Sequence, residues 1–94
     1  MKIVINECFG GFSLPSDFCE LYGLDEYDDI DRADARLIEF LESYFAATGE
    51  NSYSESFSEL VIEEIPDNST DWHVTEYDGS ESIVYVVDGK LHWV

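Results

Sequence analysis

The chain has 94 residues, of which 22 are Asp or Glu and only 4 are Lys or Arg, so its formal net charge is -18. A chain of this length encloses one modest core, so we expect a single domain spanning residues 1–94. Apolar residues make up 45% of the sequence and aromatic residues 15%, which excludes a disordered acidic tail. Direct binding to nucleic acid is the function that this charge disfavours most strongly.

The sequence predicts neither a membrane segment nor a metal site. A membrane-spanning helix needs about 18 or more consecutive apolar residues, and the start MKIVINECFGG contains an acid and a cysteine, unlike a secretory leader. We therefore expect a cytoplasmic protein with no membrane partner. Cys8 and Cys19 fit buried thiols, and together with His73 and His92 they lack the short spacing of zinc ligands. We expect no cofactor.

The first predicted element is a β-strand at 2–6, which a glycine pair ends. A phosphate-binding loop would need a basic residue near these glycines, and none follows until Arg32. The glycines are better explained as backbone freedom for a sharp turn. We expect this turn to send Phe9 and Phe12 into the core.

Apolar spacing predicts two helices. The first runs from about residue 15 to 22, with Phe18, Leu21 and Tyr22 on its buried face. The second, longer helix runs from about 31 to 48. Its apolar stripe consists of Leu37, Ile38, Leu41, Tyr44 and Phe45.

The second half of the chain predicts strands. Residues 50–59 are polar and fit a loop, whereas 60–65, 72–77, 83–87 and 91–94 have the composition of strands. Two Asp-Gly steps separate the last three, and such steps favour type I′ hairpin turns. The predicted fold class is therefore α+β: a small single domain with an antiparallel sheet of about four to five strands, including a C-terminal β-meander, packed against two helices.

Two charge patterns limit the chemistry. Arg32 and Arg36 have acids close by, so we expect both to pair locally. Glu63 and Glu64 are adjacent in a predicted strand and would point to opposite faces, which disfavours a paired-carboxylate enzyme. The sequence predicts no catalytic residue.

The N-terminal segment resembles the start of a group of small proteins encoded in phage and prophage genomes, which share the pattern KIVIN-x-CFGGF-x-L. Two further blocks are similar, RADARLIEFLE at 32–42 and VIEEIPDNSTDWHVTEYDGSE at 61–81. The group usually has Ser where Pro15 stands, and its C-terminal ending is more basic than GKLHWV. The resemblance implies a phage setting, and hence the cytoplasm of a host cell, but no catalytic residue.

Small, highly acidic phage proteins often antagonise nucleic-acid-targeting defences of the host. A compact domain of 94 residues is roughly 30 Å across. A DNA duplex about 30 Å long carries about 18 phosphates, which equals the formal net charge of the protein in size. We therefore predict an inhibitor of the anti-CRISPR or anti-restriction type. It would act as a DNA mimic on a basic, nucleic-acid-binding host protein or effector complex.

Candidate partner contacts are acids in predicted loops, on the outer face of the main helix and at the sheet edge. They are Asp25, Glu26, Asp28, Asp29, Asp31, Glu39, Glu42, Glu63, Glu64, Asp67, Asp78 and Glu81. The alternative is a highly soluble or halophile-adapted structural or interaction domain, whose acidity has no nucleic-acid-related role.

Overall fold

The computed structural model describes residues 1–55 and 57–94; Ser56, within the predicted loop at 50–59, lies outside the described residues. The elements, in chain order, are β1 (Lys2–Asn6), α1 (Ser16–Tyr22), α2 (Ala35–Thr48), β2 (Tyr53–Glu55), β3 (Ser58–Glu64), β4 (Asp71–Tyr77), β5 (Ser80–Val87) and β6 (Lys90–Trp93). The fold class is α+β, as predicted. The strands, however, form two three-stranded antiparallel sheets instead of one sheet of four to five strands.

The first sheet, with strand order β1-β3-β2, is the middle of three layers. Its strand β1 is buried on both faces because its side chains alternate between two cores. Ile3 and Ile5 pack with Ile83 of β5 between the sheets. Val4 points the other way and packs in the cluster that contains Leu37 of α2. The layers therefore follow the order helices, first sheet, second sheet.

The second sheet, with strand order β4-β5-β6, is the predicted C-terminal meander. Both of its turns have positive φ at both central residues, between 52° and 90°: Asp78, Gly79, Asp88 and Gly89. These are the left-handed values that a type I′ turn requires. The register also agrees with the prediction, since Val84 lies opposite Trp93 and Tyr85 lies opposite His92.

Helix α1 buries a different face from the one predicted. Phe18 is fully buried as expected, but its buried neighbour is Cys19, whereas Leu21 and Tyr22 are exposed. The reason is the short length of the helix. It docks through its first turn, directly after the buried residue Leu14, so its last turn extends beyond the core.

Helix α2 begins at Ala35, four residues later than predicted. Asp34 caps it, accepting a hydrogen bond from the backbone N–H of Arg36 at 2.8 Å. The Arg36 side chain also donates to this carboxylate, as the predicted local pairing requires, and lowers the pKa of Asp34. Leu37 and Leu41 of the predicted stripe are fully buried.

The loop after β1 contains Gly10 and Gly11. It packs between the backbone of Phe57 and the β4–β5 turn. A Cβ atom on Gly10 would collide with the backbone of Phe57. A Cβ atom on Gly79 would lie 2.6 Å from the carbonyl oxygen of Phe9. Phe12 packs against the core as predicted, but Phe9 is exposed, because it is the backbone of Phe9, and not its ring, that packs against the β4–β5 turn.

Candidate functional site

The acidic segment between the two helices is an ordered loop, and several of its carboxylates bind its own backbone. Asp25 accepts a hydrogen bond from the N–H of Tyr27 at 3.0 Å, and Asp28 accepts one from the N–H of Asp25 at 2.8 Å. Asp31 accepts one from the N–H of Ala33 at 2.8 Å. Part of the acid excess in this segment therefore shapes the loop, in the manner of Asx turns.

This loop forms one wall of a depression of about 240 Å³, which we call the acidic depression. Glu76 of β4, in the second sheet, also lines the acidic depression, as do Phe12 and Arg32. The carboxylates that line it are those of Glu26, Asp28, Asp29, Glu76 and Glu81. Arg32 is the one cation among its described lining residues, so five negative charges and one positive charge give a net charge of -4.

Arg32 pairs with Glu81, which lies 49 residues away, and not with a local acid as predicted. Its guanidinium donates to both carboxylate oxygens at 2.6 and 2.7 Å and lies over the ring of Phe12, 3.5 Å from the centroid. Only 5% of the Glu81 side chain is exposed. Glu81, one of the candidate partner contacts, therefore has its carboxylate engaged inside the protein.

The same pair covers the free edge of β1. The backbone N–H of Val4 donates to the carbonyl of Arg32 at 2.8 Å, and the N–H of Asn6 donates to Glu81 at 2.8 Å. These bonds replace the strand that a larger single sheet would have placed here.

The remaining candidate contacts are distributed over other surfaces. Glu39 and Glu42 are exposed on α2, and Glu42 lies 2.6 Å from the ammonium group of Lys2, a hydrogen bond that raises the pKa of Lys2. Glu64 is exposed, whereas Glu63 is half-buried.

Two further candidates lie on turns or connections. Asp67 is exposed and binds the N-terminal ammonium group, which lowers the pKa of its carboxyl. Asp78 is exposed in the β4–β5 turn. The structure therefore brings Glu26, Asp28 and Asp29 together with Glu76 at the acidic depression. Asp25 and Asp31 lie in the same loop, and Asp78 lies in the turn that follows Glu76.

A second depression, of about 380 Å³, lies between the two sheets. It is lined by Glu63 together with Glu7 and Glu59, which were not among the predicted contacts. Glu76 was also missed. For Glu59 the signal is strand alternation, since Glu59 shares one face of β3 with the predicted contact Glu63.

An apolar groove of about 480 Å³ lies between α1 and α2. Its walls include the rings of Tyr22, Phe40, Tyr44 and Tyr53. Burial, aided by the nearby carboxylate of Glu55, raises the pKa of Tyr53 to about 12. The Tyr53 phenol is therefore neutral at physiological pH, and its hydroxyl donates to Glu55 at 3.2 Å.

The described ranges contain no cluster with the composition of a metal centre. No group of three or more His, Cys, Asp or Glu side chains is placed there to share a metal ion. Burial raises the pKa of the Cys19 thiol, and nearby carboxylates raise it further, which opposes thiolate formation. No helix in the described part of the chain is long and apolar enough to span a membrane.

No protein-family model, curated protein or solved structure matches this chain. The resemblance to phage-encoded proteins therefore stays a prediction.

Proposed function

We propose that this protein is a non-enzymatic inhibitor whose carboxylates occupy the phosphate-binding positions of a basic host protein. The partner belongs to a nucleic-acid-targeting defence system of the CRISPR or restriction type. The observation that carries this proposal is the charge of the folded surface. Three of the four basic side chains, Lys2, Arg32 and Arg36, already pair with carboxylates of the chain, so they present little positive charge to a partner.

The charge density approaches that of DNA. The long axis of the structure measures 40 Å, compared with the roughly 30 Å expected from chain length. Duplex DNA 40 Å long carries about 24 phosphates, against a net charge of -18 for the protein. A net charge of about 2 to 8 is sufficient for solubility. The remaining charge adds self-repulsion to the folded state, and contact with a basic partner would offset this cost.

The acidic depression and its rim are the proposed centre of the contact surface. Glu26, Asp29 and Glu76 are exposed there, and Asp78 extends the acidic surface along the neighbouring turn. Glu81 is left out because Arg32 holds it. Since no three acidic side chains of the described residues are placed to share one metal ion, these carboxylates suit a row of basic side chains better than a single cation.

A highly soluble or halophile-adapted domain is the second candidate, and the excess of acids over lysines favours it. The two candidate functions differ in the role that they assign to the negative charge. A halophilic protein needs molar salt to be stable, whereas a phosphate mimic needs a partner.

Co-purification tests the proposal. The tagged protein is incubated with host lysate at low ionic strength and eluted with a salt gradient, since contacts between exposed charges weaken as the Debye length falls. We expect a basic, nucleic-acid-binding protein or complex that is released at moderate salt. Recovery of no such partner at low salt would contradict the proposal.

A further inference from the structure

Four exposed aromatic rings are carried by the loop that contains Gly10 and Gly11, which we call the glycine loop, and by segments close to it in the fold. The rings are those of Phe9, Tyr27, Phe57 and Tyr77, which are 72%, 76%, 81% and 76% exposed. We call this set the aromatic rim. Isolated apolar side chains on a surface are ordinary, but exposed aromatic clusters mark interaction sites, and aromatic residues dominate the binding energy of interfaces.

Backbone contacts bring the segments that carry the rim together. Gly10 packs directly against the backbone of Phe57, and Gly79 packs against that of Phe9. Tyr77 precedes Gly79 by two residues. Tyr27 and Phe57 line the same small depression, of about 50 Å³. Because these segments are already packed against one another, a partner that binds the rim would not have to order them first.

The chain's own arginines show how rings and carboxylates combine here. Arg32 pairs with Glu81 while its guanidinium stacks over Phe12, 3.5 Å from the ring centroid. Arg36 pairs with a neighbouring aspartate while its guanidinium lies 4.9 Å from the ring centroid of Tyr22. Both arginines of the protein are thus bound by one carboxylate and one aromatic ring.

The rim carries the same two kinds of group, and among the described residues the guanidinium groups that stack on rings lie over Phe12 and Tyr22 instead. Tyr27 is followed by Asp28 and Asp29, and Tyr77 by Asp78. All five of these residues are exposed. Planar guanidinium groups stack on rings and form directed hydrogen bonds with carboxylates at the same time, whereas the strongly hydrated lysine ammonium acts chiefly as a point charge.

We propose that the aromatic rim binds arginine side chains on the basic surface of the partner protein. Each guanidinium stacks on a ring of the rim and donates hydrogen bonds to an adjacent carboxylate. This inference rests on the proposed function and narrows it, because the partner is then recognised through arginine and not through positive charge in general.

Two peptide probes of equal length and charge, octa-arginine and octa-lysine, test the inference by titration at about physiological ionic strength. We expect octa-arginine to bind about fivefold to tenfold more tightly. Nuclear magnetic resonance should show the largest amide shifts caused by octa-arginine at the rim. The double variant Tyr27→Ser/Phe57→Ser should lose the preference for arginine and keep its affinity for octa-lysine.

The matched control is Leu21→Ser/Leu91→Ser, which removes two apolar side chains that are 67% and 60% exposed and lie outside the rim. It should keep the preference. If both peptides bind the parent protein equally, or if the rim variant keeps the preference, the inference is overturned while the electrostatic part of the proposed function survives. If neither peptide binds, both are overturned. Should circular dichroism show that the double variant is unfolded, Tyr27→Ser alone and the shift map decide by the same criteria.

Discussion

Arg32 and Glu81 form a bidentate ion pair between the acidic loop and the second sheet, with nitrogen–oxygen distances of 2.6 and 2.7 Å. The pair also satisfies the free edge of β1, because the Arg32 carbonyl and the Glu81 carboxylate accept hydrogen bonds from Val4 and Asn6. One cation in a strongly acidic protein thus joins the two sheets to the loop that carries the proposed contacts. The position of the acidic depression depends on it.

Arg32→Ala should destabilise the protein strongly, because it leaves the Glu81 carboxylate buried without its partner. Breaking a buried pair in this way costs about 3–5 kcal/mol of unfolding free energy. Arg36→Ala is the matched control, since it removes one positive charge from a local pair whose carboxylate is 18% exposed, compared with 5% for Glu81. Urea denaturation of both variants measures the difference. Equal losses would mean that only the change in net charge matters.

Local sequence patterns predicted the elements whose geometry is determined locally. The Asp78-Gly79 step predicted a type I′ turn because few residues adopt positive φ at low cost. The register of Val84 opposite Trp93 followed from the second turn of the meander. The stripe that contains Leu37 predicted α2 from its period alone.

Features that depend on distant parts of the chain were not predictable. Nothing in the sequence distinguishes Glu81 from the other acids as the partner of Arg32, so neither the pair nor the division into two sheets could be predicted. The exposure of Phe9 goes with the packing of its backbone against Gly79, which is a tertiary contact. The acidic loop was identified as a candidate site, but its neighbour Glu76 requires the fold.

Gly79→Ala should cost more stability than Gly89→Ala. Both glycines occupy the second central position of an Asp-Gly turn, with φ of 90° and 74°, so the backbone strain of a substitution is similar, on the order of 1–2 kcal/mol. A Cβ on Gly89 meets open space, whereas one on Gly79 would lie 2.6 Å from backbone atoms. We expect a further loss of about 1–3 kcal/mol from this crowding.

Thermal denaturation of the two alanine variants provides the comparison. Similar melting temperatures would show that the glycine loop and the β4–β5 turn are not packed as tightly as the structure indicates.

Tyr53 should ionise with a pKa of about 12, raised from its ordinary value of 10.0 by burial and by Glu55. Because the pKa of Tyr53 is higher in the folded state than in the unfolded state, the contribution of its neutral phenol to the free energy of unfolding is complete below pH 10. This contribution is lost as the pH rises through about 12. Phenolate absorbance measured against pH should show a late step that Tyr53→Phe removes. A late step that persists in Tyr53→Phe would assign the raised pKa to another tyrosine.

Salt should stabilise the protein only until its surface charges are screened. The Debye length is about 8 Å at 0.15 M and 3 Å at 1 M, so the melting temperature should rise with sodium chloride and level off near 1 M. A melting temperature that continues to rise steeply in multimolar salt would favour the halophile-adapted alternative.

Competition with DNA tests the central claim, that carboxylates of the acidic depression replace phosphates on a basic partner. The recovered partner is titrated with a short DNA duplex in the presence of the protein, and we expect the two to exclude each other. Glu26→Lys/Asp29→Lys should weaken binding by about tenfold or more. Glu20→Lys/Glu50→Lys, which changes the net charge equally at exposed positions outside the depression, should weaken binding much less. A ternary complex of protein, partner and DNA, or equal losses in the two variants, would contradict the account.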